Sequence, residues 1–258
     1  MIRDKLKDIK YFDEFITRLY KSQERRYEKL ANNAIKKERI PIVKRDMSGN
    51  YLRIIYAKYS RGDNMFSNNI YAEFLNSLKL MSENWEENFG RFIHSQKNKA
   101  IVLNQYSFSM YLSLLDRLSI AILLDLEASQ FKQLFQFVDK DNVKDFLLEF
   151  LMGYYDTERP PITEESYQEF FHINERFGRL KTIIKEENKT TAEQELKYFL
   201  EKEWYDSFKG TPLYNQHLNP NDTYSGYWCF VAAAIVKIKG LDDSSFRANA
   251  YYPKDMLV

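Results

Sequence analysis

A chain of 258 residues, 44% of them hydrophobic, is long enough to bury a sizeable core as one large domain or two modest ones. Its 8 glycines and 6 prolines are too few for the turn-rich sequence of a sandwich or barrel, and a single cysteine, Cys229, excludes an internal disulfide. The formal net charge of +1 hides a segregation, because residues 1–60 hold 16 Lys+Arg against 8 Asp+Glu, a local +8, while the remainder holds 22 against 29, a local −7.

The opening MIRDKLKDIKYFDEF alternates charges where an export signal needs an apolar stretch, so a cytoplasmic location is expected. Leu6, Ile9, Phe12, Ile16, Leu19, Tyr27 and Leu30 recur mostly three or four residues apart and predict a helix over about Lys5 to Ile35. KKERIPIVKRDMSGNY, with Pro41 and Gly49, reads as a connection to a second helix through YLRIIYAKY, and Arg61-Gly62-Asp63 reads as a turn. Ile70, Phe74, Leu78 and Met81 mark a third helix. Gly90 and a polar SQKNKA loop follow, and then the most apolar helix, about Tyr106 to Glu127. Its LSIAILLDL run is too short to span a bilayer and predicts a central core helix.

Beyond it, Asp141 reads as the N-cap of a helix through DFLLEFLM that ends near Gly153. Thr163 and the acids after it suit the start of a helix running through FFHINERFGRLKTII, and Thr190 or Thr191 suits the cap of the next. KGTPLYNQHLNPND is a loop, and a last helix is predicted from about Tyr224 to Lys239, stopped by Gly240. No clear strand pair is visible. The expected fold is all-α, a multi-helix compact bundle without substantial β-sheet, with an N-terminal helical module over residues 1–127 and a C-terminal one over 128–258.

Chemistry-bearing patterns are weak. Glu169 and His172 form a Glu-x-x-His of the kind used in di-iron bundles, but neither His94 nor His217 has a Glu three residues before it to supply the second motif such a site needs. Glu195 and Lys197 resemble the Glu-x-Lys of metal-dependent nucleases, yet they lie in a helical run of alternating charge rather than on a strand. Without a phosphate loop, a nucleophile elbow or a Cys/His cluster, no enzyme, metal or cofactor is predicted. The basic N-terminal region raises a nucleic-acid binder as a second reading, but its interspersed acids favour a solvated face. A helical scaffold without such a partner is the remaining alternative.

Three stretches carry more information: YSGYWCFVAAAIVKIKGLDDSSFRANAYYP from Tyr224 to Pro253, EKEWYDSF from Glu201 to Phe208, and RDKLKDIKYFDEFI from Arg3 to Ile16. Together they resemble the PoNi family of immunity proteins, the most specific part being the order Tyr224, Gly226, Tyr227, Trp228, Gly240, Asp242, Asp243, Tyr251, Tyr252, Pro253. The resemblance implies a cytoplasmic antidote to a PoNe-type DNase toxin delivered by a bacterial secretion system, with a protein partner, no catalysis, no cofactor, no membrane and no direct binding to nucleic acid. Val231 departs from the family pattern, standing where an acidic residue is common. The motif reads as a packed corner, since Gly226 permits close backbone approach, Tyr227 and Trp228 offer large apolar faces, and Asp242 and Asp243 start a turn.

A DNase presents a basic surface, so an inhibitor gains association rate by offering it carboxylates. Residues 139–175 hold ten carboxylates against Lys140, Lys144 and Arg159, a local −7. From this run Glu149, Asp156, Glu158, Glu164, Glu165 and Glu169 are expected to face the toxin, with Tyr154 and Tyr155 as aromatic anchors.

Overall fold

The computed structural model describes residues 1–85, 89–96, 99–166 and 172–257, and among these the regular structure consists of nine α-helices, several single-turn helices and one two-stranded sheet. The fold is therefore predominantly helical. It resolves into two units, one made of residues 1–85 and 210–227 and the other of residues 86–209 and 228–258.

In the first unit, α1 (Ile9–Ala31), α2 (Ile40–Arg61) and α3 (Asn68–Ser82) pack in sequence, α1 on α2 and α2 on α3. α1 is shorter than the periodicity predicts. Asp8 caps it by accepting the N–H of Tyr11, and Asn33, at φ 52°, turns the chain away beyond its end. Only the middle of the apolar stripe is core: Phe12, Phe15, Ile16 and Leu19 are buried, while Leu6, Ile9 and Tyr27 remain exposed. α2 begins where a connection was expected, because Pro41 falls in its first turn, where a proline costs no hydrogen bond. Gly62 ends it in the left-handed region, and a Cβ there would collide with the carbonyl of Met1. Between α2 and α3, the buried Lys58 ammonium meets Glu73 at 2.6 Å, and Glu73 also accepts from the Tyr20 hydroxyl.

The second unit includes an antiparallel hairpin, β1 (Arg91–Gln96) and β2 (Lys99–Tyr106), across the stretch where only a polar loop was expected before the helix. Ile93 faces Val102 and Ser95 faces Ala100. Its β-branched residues, Ile93, Ile101 and Val102, are too few and too irregularly spaced to give a period-two strand signal, so the pairing rather than the local pattern defines the hairpin. α4 therefore starts only at Phe108 and runs to Leu123; Leu114, Leu115, Leu118, Ile120 and Ile122 are fully buried, which makes it the central helix that its composition predicts. It packs against α9 (Phe230–Lys239), whose Ala232, Ala233 and Ala234 present almost no bulk.

Between them in the chain lie α5 (Ala128–Asp141), α6 (Phe146–Met152), α7 (His172–Lys185) and α8 (Lys189–Tyr198), the last continuing into one π-helical turn over Phe199–Glu203. The cap of α6 is Asp145, not Asp141; Asp141 is the last residue of α5, and the Asp145 carboxylate accepts the Leu148 N–H at 2.8 Å. Asn188 caps α8 in place of Thr190 or Thr191, accepting from Thr191 N–H. Thr163 caps nothing, because residues 161–166 are neither helix nor strand.

Three buried hydroxyls in this unit donate to carboxylates: Tyr106 to Asp141 at 2.8 Å, Tyr111 to Asp145 at 2.8 Å and Tyr252 to Asp243 at 3.1 Å. Burial, reinforced by those acids, pushes all three phenols above their ordinary value of 10.0. The native state then keeps protons that the unfolded chain releases above about pH 10, so these groups' contribution is complete below that point and is lost as pH rises beyond it. Alkaline titration should show a late step in tyrosinate absorbance coincident with loss of helix signal. Uniform ionisation of every tyrosine near pH 10 with the helices intact would contradict this.

Candidate partner-binding site

The acidic run begins at the end of α5 and continues past α6. Gly153 closes α6, its N–H bonded to the carbonyl of Glu149 at 2.8 Å, and the chain leaves the helix as irregular backbone through residue 166. Tyr154 and Tyr155 emerge at this exit. Their rings meet edge to face with centroids 4.9 Å apart; Tyr155 lies 4.3 Å from Phe131, which in turn meets Phe135 at 5.0 Å. An aromatic series thus runs from the fully buried Phe131 to the exposed Tyr154. Only Tyr154 stands at the surface end of it, whereas Tyr155 is half-buried and already part of the packing.

Among the described side chains of the run, Asp139, Asp141, Asp145, Glu149 and Glu165 have cationic partners within the unit. Arg159 grips Glu149 with two bonds, Nε to Oε2 at 2.6 Å and Nη2 to Oε1 at 2.9 Å, and reaches Asp139 with two more at 3.2 and 2.5 Å, while its guanidinium covers the Phe135 ring. Asp141 accepts from Tyr106 and lies 3.9 Å from Arg91. Lys181, itself buried, meets Glu165 at 2.8 Å and Asp145 at 3.4 Å. Asp145 is fully buried, and burial pushes its carboxyl above the ordinary range against the pull of Lys181.

Of the residues expected to face a partner, Glu158, Glu164 and Tyr154 are exposed and Asp156 is half-exposed, its carboxylate accepting the N–H of Glu158 at 3.3 Å. Glu149 and Glu165 are instead occupied by internal cations, so the expectation that Glu165 is a freely exposed acid does not hold. Glu169 lies outside the described residues, and with it the Glu-x-x-His. Reasoning from the sequence missed Arg159 and Lys181. Arg159 could have been flagged as the one arginine inside the acidic run, but Lys181 lies sixteen residues beyond its nearer acid and carries no such signal.

In the C-terminal motif Tyr224, Tyr227, Trp228, Tyr252 and Pro253 are buried, whereas Gly240 and Asp242 are exposed. In the first unit, Tyr224 donates to Asp4 at 2.6 Å and its carbonyl accepts from Tyr11; the Ser225 carbonyl accepts from Ser60, and the Tyr227 hydroxyl lies 3.0 Å from His217 Nδ1. Residues 224–229 are neither helix nor strand, with Gly226 at φ 132°, so α9 starts later than its composition suggests. In the second unit, Trp228 and Tyr252 are buried, and the Cys229 N–H bonds to the Tyr251 carbonyl at 2.8 Å, so the chain after α9 is tied back to the residue before it. Tyr251 stacks on Tyr205, and Pro253 is buried beside Tyr252 in the chain. Gly240, at φ 60°, caps α9, after which Asp242 accepts from Ser244 and Asp243 from Arg247 and Tyr252. The thiol of Cys229 is fully buried and pushed well above its ordinary range by that burial, as suits a packing residue.

Glu195 is paired with Arg179 of α7, as is Glu203, so these charges link neighbouring helices rather than residues four apart on one helix. Among the described residues no group of three or more His, Cys, Asp or Glu could hold a metal ion, and no helix is long and apolar enough to cross a membrane.

Two family models match the chain: one described as PoNe immunity protein (PoNi), N-terminal, over residues 2–136, and one described as PoNe immunity proteins (PoNi), C-terminal, over residues 143–256. The crystal structure of protein PA2201 from Pseudomonas aeruginosa is similar with a TM-score of 0.67 at 18% identity, covering 99% of this chain and 89% of that one, a likeness of fold. A comparison with curated proteins finds no match.

Proposed function

The chain belongs to the PoNi family of PoNe immunity proteins, and from that membership we propose that it binds and neutralises a cognate PoNe-type DNase toxin in the cytoplasm of the bacterium that makes it. The observation that carries this reading is the pair of family models, which together span nearly the whole chain. Neutralisation by binding requires no catalytic group and no cofactor. The toxin-facing surface in this reading is the irregular segment after α6, where Asp156, Glu158 and Glu164 offer carboxylates to a basic nuclease and Tyr154 offers an aromatic anchor. Glu149 and Glu165 serve the same surface indirectly, through Arg159 and Lys181.

Co-expression with the PoNe nuclease encoded beside it tests the function directly: cells should survive, and the two proteins should purify together. Survival without a complex would argue against sequestration, and a neighbouring toxin without nuclease activity would redirect the partner assignment. Changing Asp156, Glu158 and Glu164 together to Lys should leave the fold intact and slow association, with the salt sensitivity of the parent complex reflecting screening over about 8 Å at physiological ionic strength. Tyr154→Ala should instead speed dissociation. A folded triple variant that binds and protects like the parent would remove this surface from consideration. Against DNA itself, no appreciable binding is expected at physiological salt; affinity falling steeply with rising salt would favour the nucleic-acid reading.

A further inference from the structure

We infer that Arg159 is a positioning residue that pre-organises the segment 154–166 for a basic partner without touching it, an inference that rests on the reading of this segment as the toxin-binding surface. Neither helix nor strand holds these residues. The local backbone bonds are long, Asp156 N–H to Met152 O at 3.3 Å and Arg159 N–H to Asp156 O at 3.4 Å. Beyond Tyr155, whose ring packs on Phe131, the segment is fastened at two points. At one, Arg159 spreads four bonds over Glu149 on α6 and Asp139 on α5 and lies on the Phe135 ring, with little of its side chain exposed. At the other, Glu165 meets Lys181 of α7 and the Ser166 N–H bonds to the Lys144 carbonyl at 3.0 Å.

Between these points Pro160 and Pro161 restrict the backbone further, and Thr163 and Glu164 are exposed; just before the first point stands the exposed Glu158. The planar guanidinium fork matches carboxylates two bonds at a time, which a lysine cannot do. Arg159 therefore performs two tasks with one group. It neutralises two acids that would otherwise repel each other and the segment, and it holds the neighbouring free carboxylates in place before a partner arrives. Ordering a loose loop on binding subtracts from affinity, so a segment held beforehand binds more tightly with no added contact.

The test uses the full chain and a catalytically inactivated form of the PoNe toxin encoded beside it. In Arg159→Met, hydrogen exchange at the amides of residues 156–164 should accelerate while the α4 and α9 amides stay protected, and toxin affinity should fall by about tenfold or more. Arg159→Lys keeps the charge without the fork, and it should loosen the same amides and lose an intermediate part of the affinity; it also serves if the methionine variant does not fold. A purely structural arginine would lower the melting temperature and leave the affinity of the folded protein unchanged, and that result overturns the inference. So does exchange at 156–164 that matches the parent. Glu158→Lys combined with Glu164→Lys separates the two levels. If that double variant binds like the parent, the acidic-surface reading fails and the inference falls with it; if it is impaired while the Arg159 variants bind normally, only the inference is lost.

Discussion

Lys181→Met is expected to lower stability by about 3 to 5 kcal/mol at neutral pH, the cost of breaking a buried ion pair by removing one partner. Lys181 stands between Asp145, which is fully buried, and Glu165, which is nearly so. Asp145 also accepts from Tyr111 and caps α6 through Leu148, so its charge is shared by three parts of the second unit. Without the ammonium, two carboxylates face one another with no counter-charge. Burial already pushes Asp145 upward, and the variant should push it further. A carboxyl raised in the native state binds protons that the unfolded chain has released, so the variant's stability should fall as pH rises from the ordinary aspartate range through the raised one. Urea unfolding at mildly acidic and neutral pH checks both points: the deficit should shrink on acidification. A loss below about 1 kcal/mol at both pH values would show that another cation balances Asp145.

Trp228→Ala should cost a similar amount, about 3 to 5 kcal/mol, because deleting a buried indole loses its transfer energy and leaves a cavity. Trp228 is buried immediately before Cys229, whose N–H bonds to the Tyr251 carbonyl, at the entry to α9, which packs on the central α4. Protection of cells should then fail through unfolding, visible as a lowered denaturation midpoint, and low temperature should restore toxin binding. A Trp228→Ala protein as stable as the parent that no longer binds would place the toxin contact in the C-terminal motif. The contrast with the acidic segment is informative, since Asp156, Glu158 and Glu164 can be reversed without opening any cavity, and their effect should appear in association rate alone.

Local signals in the chain were sufficient for the class of fold. Phe12, Phe15, Ile16 and Leu19 recur at helical spacing and are buried on α1, and most of the apolar run LSIAILLDL, Leu118 to Leu123, lies buried in α4. Gly62 and Gly240 end helices where the sequence places them, because no other residue adopts the left-handed region so readily. The order of residues from Tyr224 to Pro253 pointed to the family, and in this chain Tyr224, Trp228 and Tyr252 are buried, with Tyr224 donating to Asp4 and Tyr252 to Asp243.

Tertiary structure decided the boundaries and the identity of the free charges. Asp8, Asp145 and Asn188 became caps over equally suitable neighbours because a cap depends on backbone direction as well as on residue type. Ile93, Ile101 and Val102 joined a hairpin because cross-strand pairing, invisible in a composition, outweighed the polar residues between them. Ten carboxylates look equivalent along the chain. Folding brings Arg159 onto Glu149 and Asp139, Tyr106 onto Asp141, and Lys181, from a distant helix, onto Asp145 and Glu165, which among the described side chains of the run leaves Glu158 and Glu164 exposed with Asp156 half-exposed. Charge is a property of the residue, but whether that charge is available to another molecule depends on which counter-ion the fold sets within a few ångströms of it.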